Sequence, residues 1–215
     1  LSALGSAEAI PGPGPLWRHC GFYVARVALT ALMLLLGPVV ARGKYRVPRE
    51  GGLLILANHL SDVDPVVVQL GCPRQIRFMG KSELFQMRVL GPILRFVGAF
   101  PVKRGEPDRD ALKKAMNLIK AGEAVCIYPE GQLSEDGELQ ELKPGIALIA
   151  KMTGAPVICC GLQGSNRVVP YGDLIPRPSF HKIHVAWGEP RTFDKSAESG
   201  EIVAWATGQL RELIG

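Results

Sequence analysis

The run Asn58-His59-Leu60-Ser61-Asp62-Val63-Asp64 follows directly on the apolar stretch Leu53-Leu54-Ile55-Leu56-Ala57. Bounded by Gly51-Gly52, that stretch reads as a buried strand. It delivers His59 to the strand's end, where the chain turns toward a helix beginning near Asp62. From there the Asp64 carboxylate can return beside the imidazole, accept its N–H and leave the other ring nitrogen free as a base. The pair is a candidate general-base dyad with no serine or cysteine nucleophile attached. The bland alternative is a helix capped by Asp62 beside an unrelated histidine, and the rest of the chain decides between the two.

Further residues have the right chemistry to serve such a base. In Gly98-Ala99-Phe100-Pro101-Val102-Lys103-Arg104-Gly105 a strand carries Arg104 outward at its end, and a guanidinium fork matches phosphate oxygens. Lys103 reads as a solvated neighbour. The block Tyr128-Pro129-Glu130-Gly131 ends another strand in a turn, with Lys143-Pro144-Gly145 trailing it. Glu130 there positions a substrate or braces the site. Gly131 permits close backbone approach, and its N–H is expected to serve a ligand or a developing oxyanion. Lys81 follows a strand and precedes a helix whose N-terminus favours anions.

The elements that must position these residues alternate. The patterning predicts strands at 53–57, 76–79, 99–103, 124–128, 156–162 and 182–187. It predicts helices at 62–70, 83–97 (broken near Gly91-Pro92), 108–121, 144–153 and 200–214. Such alternation predicts an α/β fold with a mixed, largely parallel sheet flanked by helices. Residues 1–41 are read as a membrane-associated helical motif and residues 42–215 as one catalytic domain.

Residues 22–41 are almost continuously apolar, about enough helix to span a bilayer. Arg26 near one end and Gly37-Pro38 near the other argue against a clean span, although the arginine can snorkel. The favoured expectation is a helix followed by a short second helix, both dipped into one leaflet. A single spanning helix and a cleaved signal peptide ending near Val39-Val40-Ala41 are the alternatives. A core helix fits poorly, because the stretch lacks a polar face. Trp17 suits an interface anchor.

The net charge of +5 and a pI near 9.0 favour an anionic partner, either a phosphate-bearing molecule or an acidic membrane surface. Nucleic acid is not expected, for want of a basic helix, zinc-finger spacing or an aromatic-studded strand. The five cysteines, Cys20, Cys72, Cys126, Cys159 and Cys160, are irregularly spaced and lie largely in apolar runs. They read as reduced thiols exposed to the cytosol, with no zinc site. His181 and His184 do not share a strand face and are not read as ligands.

Taken in order, the blocks resemble the glycerolipid acyltransferase family of the bacterial 1-acyl-glycerol-3-phosphate acyltransferase type. The resemblance rests on Asn58, His59 and Asp64, on Gly98, Phe100 and Arg104, on Pro129, Glu130 and Gly131, and on the apolar block around Pro156. It extends from roughly Tyr45 to Gly161. It implies acyl transfer from acyl carrier protein or coenzyme A to a lysophospholipid hydroxyl, with no cofactor and no metal, at the cytoplasmic face of the inner or plasma membrane. In that reading His59 and Asp64 are catalytic, while Lys81, Arg104, Glu130, Gly131 and Lys143 bind the substrate. One departure bears on the acceptor. The family's third block usually reads Glu-Gly-Thr-Arg-Ser, and Gln132 and Leu133 stand here in place of Thr and Arg. Another lysophospholipid acceptor, or hydrolysis of the acyl thioester, is the alternative reaction. A serine lipid hydrolase is disfavoured because no G-x-S-x-G elbow occurs. A non-catalytic membrane scaffold is the remaining class.

Overall fold

Strands β1 (Val39–Arg42), β2 (Leu53–Ala57), β3 (Ile76–Lys81), β4 (Phe100–Val102), β5 (Ala124–Ile127), β6 (Val157–Gln163) and β7 (Ile183–Trp187) pair into one sheet of order β1-β7-β6-β2-β5-β3-β4 among the described residues. The computed structural model describes residues 16–88, 90–96, 98–102, 109–173 and 175–215. Arg104 and Lys103 lie outside the described residues, as does the side chain of Trp17.

Strands β6, β2, β5, β3 and β4 run parallel, β7 runs antiparallel to β6, and β1 runs parallel to β7. The carboxyl ends of β2, β5 and β6 therefore share one edge of the sheet with the amino ends of β1 and β7. In open α/β sheets the crevice beyond the strands' carboxyl ends is where ligands are held.

Helices α1 (Leu16–Leu36), α2 (Asp64–Gly71), α3 (Leu90–Phe96), α4 (Arg109–Lys120), α5 (Gly145–Thr153) and α6 (Ser199–Ile214) supply the two covering layers, with a short 3-10 turn over Ser82–Gln86. The apolar run of β2 is buried at every position because alternate residues serve different cores. Leu53, Ile55 and Ala57 pack with Met33 of α1 and Val67 and Val68 of α2. Leu54 and Leu56 pack on the other face with α4, α5 and α6 through Ala115, Ile149 and Ala206. The amphipathic helices thus cover one face and the N-terminal helix with α2 covers the other.

The first residues of the chain depart from expectation. Helix α1 ends at Leu36, where Gly37-Pro38 breaks it. In place of a short second helix, Val39–Arg42 forms the edge strand β1 against β7. Arg26 does not reach outward. Its Nη1 donates to the Gln69 carbonyl and its Nη2 to the Leu70 carbonyl, both at 3.0 Å, which satisfies the open C-terminus of α2. No helix among the described residues is long and apolar enough to cross a membrane.

Candidate active site

Strand β2 loses its backbone partner on β6 after Ala57, and the Asn58 side chain takes over. Its Nδ2 donates to the Leu162 carbonyl (3.0 Å), and the Leu162 N–H donates to its Oδ1 (2.7 Å). A buried side-chain amide so imitates one more step of the ladder and aims the chain that follows. His59 comes next, only 3 % exposed. Its backbone N–H donates to Glu130 Oε1 (2.8 Å), and its carbonyl accepts from the Ser134 N–H (2.8 Å).

The chain then wraps around Asp64, the first residue of α2. Asp64 Oδ2 accepts from the backbone N–H groups of Leu60 (2.7 Å) and Ser61 (2.9 Å) and from His59 Nδ1 (2.9 Å). The bland reading fails on this geometry. Asp62 does not cap α2, and Asp64 turns back onto the preceding loop. An acceptor at Nδ1 leaves Nε2 as the basic nitrogen. The Ser61 hydroxyl donates to the Val169 carbonyl (2.8 Å) and so ties the loop to the segment after β6.

Tyr128 was not singled out by sequence and proves central. The β2–β5 register pairs Leu56 with Ile127, so the next step sets Tyr128 level with Ala57, on the face that His59 continues. Its ring stacks on the imidazole at 3.9 Å and 15°. Burial pushes the Tyr128 hydroxyl well above its ordinary range, with the Cys126 and Asp64 charges adding to it. The hydroxyl and Asp64 Oδ1 are both buried without a hydrogen-bond partner.

Glu130 braces the site. Both oxygens are committed, Oε1 to His59 and Oε2 to the Gln140 N–H (2.9 Å), so it pins two loops together. Burial raises its carboxyl above the ordinary value of 4.5, and the N–H groups of Gln140 and His59 oppose the rise. Gly131 has φ +75°, so the turn favours glycine, and the flexible Lys143 side chain lies over it, with Nζ 2.5 Å from where a Cβ would stand. The Gly131 N–H expected for an oxyanion instead donates to the Tyr128 carbonyl (3.1 Å) and closes the turn. A Pro-Glu-Gly reversal at a strand end uses its own amide to close the turn.

A cleft of about 340 Å³ is lined by Asp62, Lys81, Gln132, Leu133, Tyr171 and Asp173, among others; Asp62 links its wall in sequence to the dyad, whose own residues His59 and Asp64 are buried and do not line it. Lys81, at the carboxyl end of β3, lines this cleft together with Asp62, Glu135 and Asp173. Gln132 and Leu133, which replace the usual Thr and Arg, line the same cleft. Cys72, Cys126, Cys159 and Cys160 are free and buried, and burial pushes Cys72 up to about 11 and Cys159 up to about 12, so these thiols are not nucleophiles. Among the described residues no three His, Cys, Asp or Glu side chains gather as metal ligands.

A braced histidine–carboxylate pair at the carboxyl end of a mixed, mainly parallel sheet defines an α/β protein with a buried imidazole held by a carboxylate. The acyltransferase family model matches residues 38–163, and the chain belongs to that family. It is 37% identical over 141 residues to the 1-acyl-sn-glycerol-3-phosphate acyltransferase of Bacillus subtilis, covering 65% of this chain and 69% of the relative. It is 35% identical over 119 residues to the chloroplastic 1-acyl-sn-glycerol-3-phosphate acyltransferase BAT2 of Brassica napus, 54% of this chain but only 34% of that longer one. The fold matches the crystal structure of PlsC, the 1-acyl-sn-glycerophosphate (LPA) acyltransferase of Thermotoga maritima, with TM-score 0.72 at 22% identity, over 91% of this chain and 81% of that one.

Proposed function

We propose that the chain transfers an acyl group from a coenzyme A or acyl carrier protein thioester to the free hydroxyl of 1-acyl-glycerol-3-phosphate, giving phosphatidic acid. The observation that carries this reading is the 2.9 Å contact between His59 Nδ1 and an Asp64 carboxylate that two backbone N–H groups already fix. In a chain of the acyltransferase family, such a base has an alcohol to activate.

His59 Nε2 takes the acceptor hydroxyl proton as the oxygen attacks the thioester carbonyl. Asp64 holds the ring and stabilises the imidazolium, as in a serine-protease triad with the substrate as nucleophile. Collapse of the tetrahedral intermediate expels the thiolate, which leaves with the proton from the imidazolium. Lys81, at the cleft wall, holds the acceptor phosphate, with Arg104 and Lys143 as further donors. The outward residues of α1, Tyr23, Val24, Val27, Leu34 and Leu35, are exposed and apolar, and they seat the protein in one leaflet at the cytoplasmic face.

A second reading has its own observation. With leucine at 133, and Asp62 and Asp173 beside Lys81, the cleft offers fewer cations than a bare phosphate calls for. This favours a lysophospholipid whose phosphate carries a further polar group. A panel of lysophospholipids offered with acyl-CoA and with acyl carrier protein, read by mass spectrometry, separates the readings. Phosphatidic acid as the main product supports the first, and exclusive acylation of another lysolipid supports the second. Fatty acid released equally with and without acceptor would replace both with thioester hydrolysis.

A further inference from the structure

Phe180 is placed where it serves the fold neither through its backbone nor through its side chain. Its φ of +53° is the only positive value at a described non-glycine residue, a conformation that L side chains adopt at an energetic cost. The ring is 87% exposed, and Ile175 on the same loop is 76% exposed. Glycine at 180 would relieve the backbone and lose no burial. The phenyl ring therefore answers to something outside the fold.

The position of the loop says what. The segment between β6 and β7 runs from the cleft, where Tyr171 and Asp173 form part of the wall, to the end of α1. There the Ser179 N–H (2.7 Å) and hydroxyl (3.1 Å) both donate to the Leu36 carbonyl, and the Ile183 N–H donates to the Pro38 carbonyl (2.9 Å). Gly37 allows this approach, since a Cβ there would lie 3.0 Å from Ser179 Oγ. Phe180 thus follows the residue that bonds the end of α1, where Leu34 and Leu35 are themselves exposed. All of this lies at the sheet edge that carries His59. Arg167, Arg177 and Lys182 on the same segment are exposed, and Arg177 pairs with Asp173 (2.7 Å).

We propose that the segment between β6 and β7 is a second lipid-facing element. Ile175 and Phe180 enter the acyl layer of an anionic bilayer beside the end of α1, with Arg167 and Lys182 at the level of the headgroups. A contact off the axis of α1 fixes the tilt of the molecule and points the carboxyl ends of the central strands at the membrane, whereas a single helix leaves the protein free to roll. The inference deepens the proposed function and rests on it for placing the acceptor in a bilayer.

The test is co-sedimentation of the full chain with vesicles of phosphatidylcholine and phosphatidylglycerol, with no substrate present. Phe180→Gly should lower vesicle partition at least about tenfold, the ratio set by burial of one large apolar side chain. Its thermal midpoint should hold or rise, because glycine adopts positive φ freely. Adding Ile175→Ser should lower partition further. Leu148→Ser/Met152→Ser removes two exposed apolar residues of α5 and should leave partition unchanged. Unchanged partition in Phe180→Gly would overturn the proposal, as would wild-type protein that ignores vesicles or an equal loss in the α5 variant. A lipid-free dimer that Phe180→Gly dissociates would assign the patch to a second copy of the chain instead. Acyl transfer is assayed separately, so its absence would end the proposed function without bearing on partition.

Discussion

Tyr128 lies flat on the His59 ring, and its hydroxyl meets no partner. The contact is therefore the ring face alone, which restrains imidazole rotation and holds Nε2 in line. Tyr128→Phe keeps that face and should leave kcat within about twofold. Tyr128→Leu should lower kcat about three- to tenfold with little change in KM, the scale of one aromatic contact. Steady-state kinetics of the two variants checks this. Glu130 gives a pH signature. Its folded-state pKa is raised above the unfolded value, mainly by burial. The folded protein therefore binds more protons in the window above about pH 4.5, and the contribution of Glu130 to stability falls as pH rises through that window. Glu130→Gln removes the titration, so the stability of the wild type relative to the variant should fall with rising pH there. Urea unfolding of both proteins from about pH 4 to 8 measures it. At neutral pH the variant also leaves one buried N–H facing an amide NH₂, and kcat should drop as the His59 peptide shifts.

Arg26 shows how an element can be misread from its own residues. A lone cation in an apolar helix reads as a snorkelling side chain, yet it caps the carboxyl end of α2 across more than forty residues of sequence. Arg26→Ala should cost about 1–2 kcal/mol and lower Tm by about 2–8 °C. Activity well below Tm should be unaffected, because Asp64 sits at the other end of α2. Calorimetry and an activity assay check both halves. The strands with local signals were legible: Leu53–Ala57 appears where its apolar run and flanking glycines put it, and α1 stops where Gly37-Pro38 must stop it. Strand β1 was not legible. Its residues continue the apolar run of α1, and what makes them a strand is the edge of β7, more than a hundred residues away. The site shows the same division. His59, Asp64 and Glu130 lie close in sequence or on strand-end turns, so their types and spacing reveal them. The work of Asn58 depends on Leu162, 104 residues on, and that of Tyr128 on the β2–β5 register. The Gly131 N–H looked free only because its turn partner cannot be read from residue types.

At the scale of the whole molecule, one edge of the sheet gathers the dyad, the cleft with Lys81, the end of α1 and the loop that carries Phe180. Parallel strands bring His59 and Lys81 to that edge, and the reversal of β7 and β1 brings the apolar elements to it as well. A net charge of +5 suits the whole chain to an anionic surface. In the proposed function all of this serves one proton transfer from a lipid hydroxyl to His59. The direct measurement is phosphatidic acid formation from acyl-CoA and 1-acyl-glycerol-3-phosphate by His59→Ala, with its unfolding midpoint recorded alongside. The rate should fall at least about 100-fold while the midpoint stays near that of the wild type. A folded His59→Ala protein that acylates at close to the wild-type rate would contradict the account.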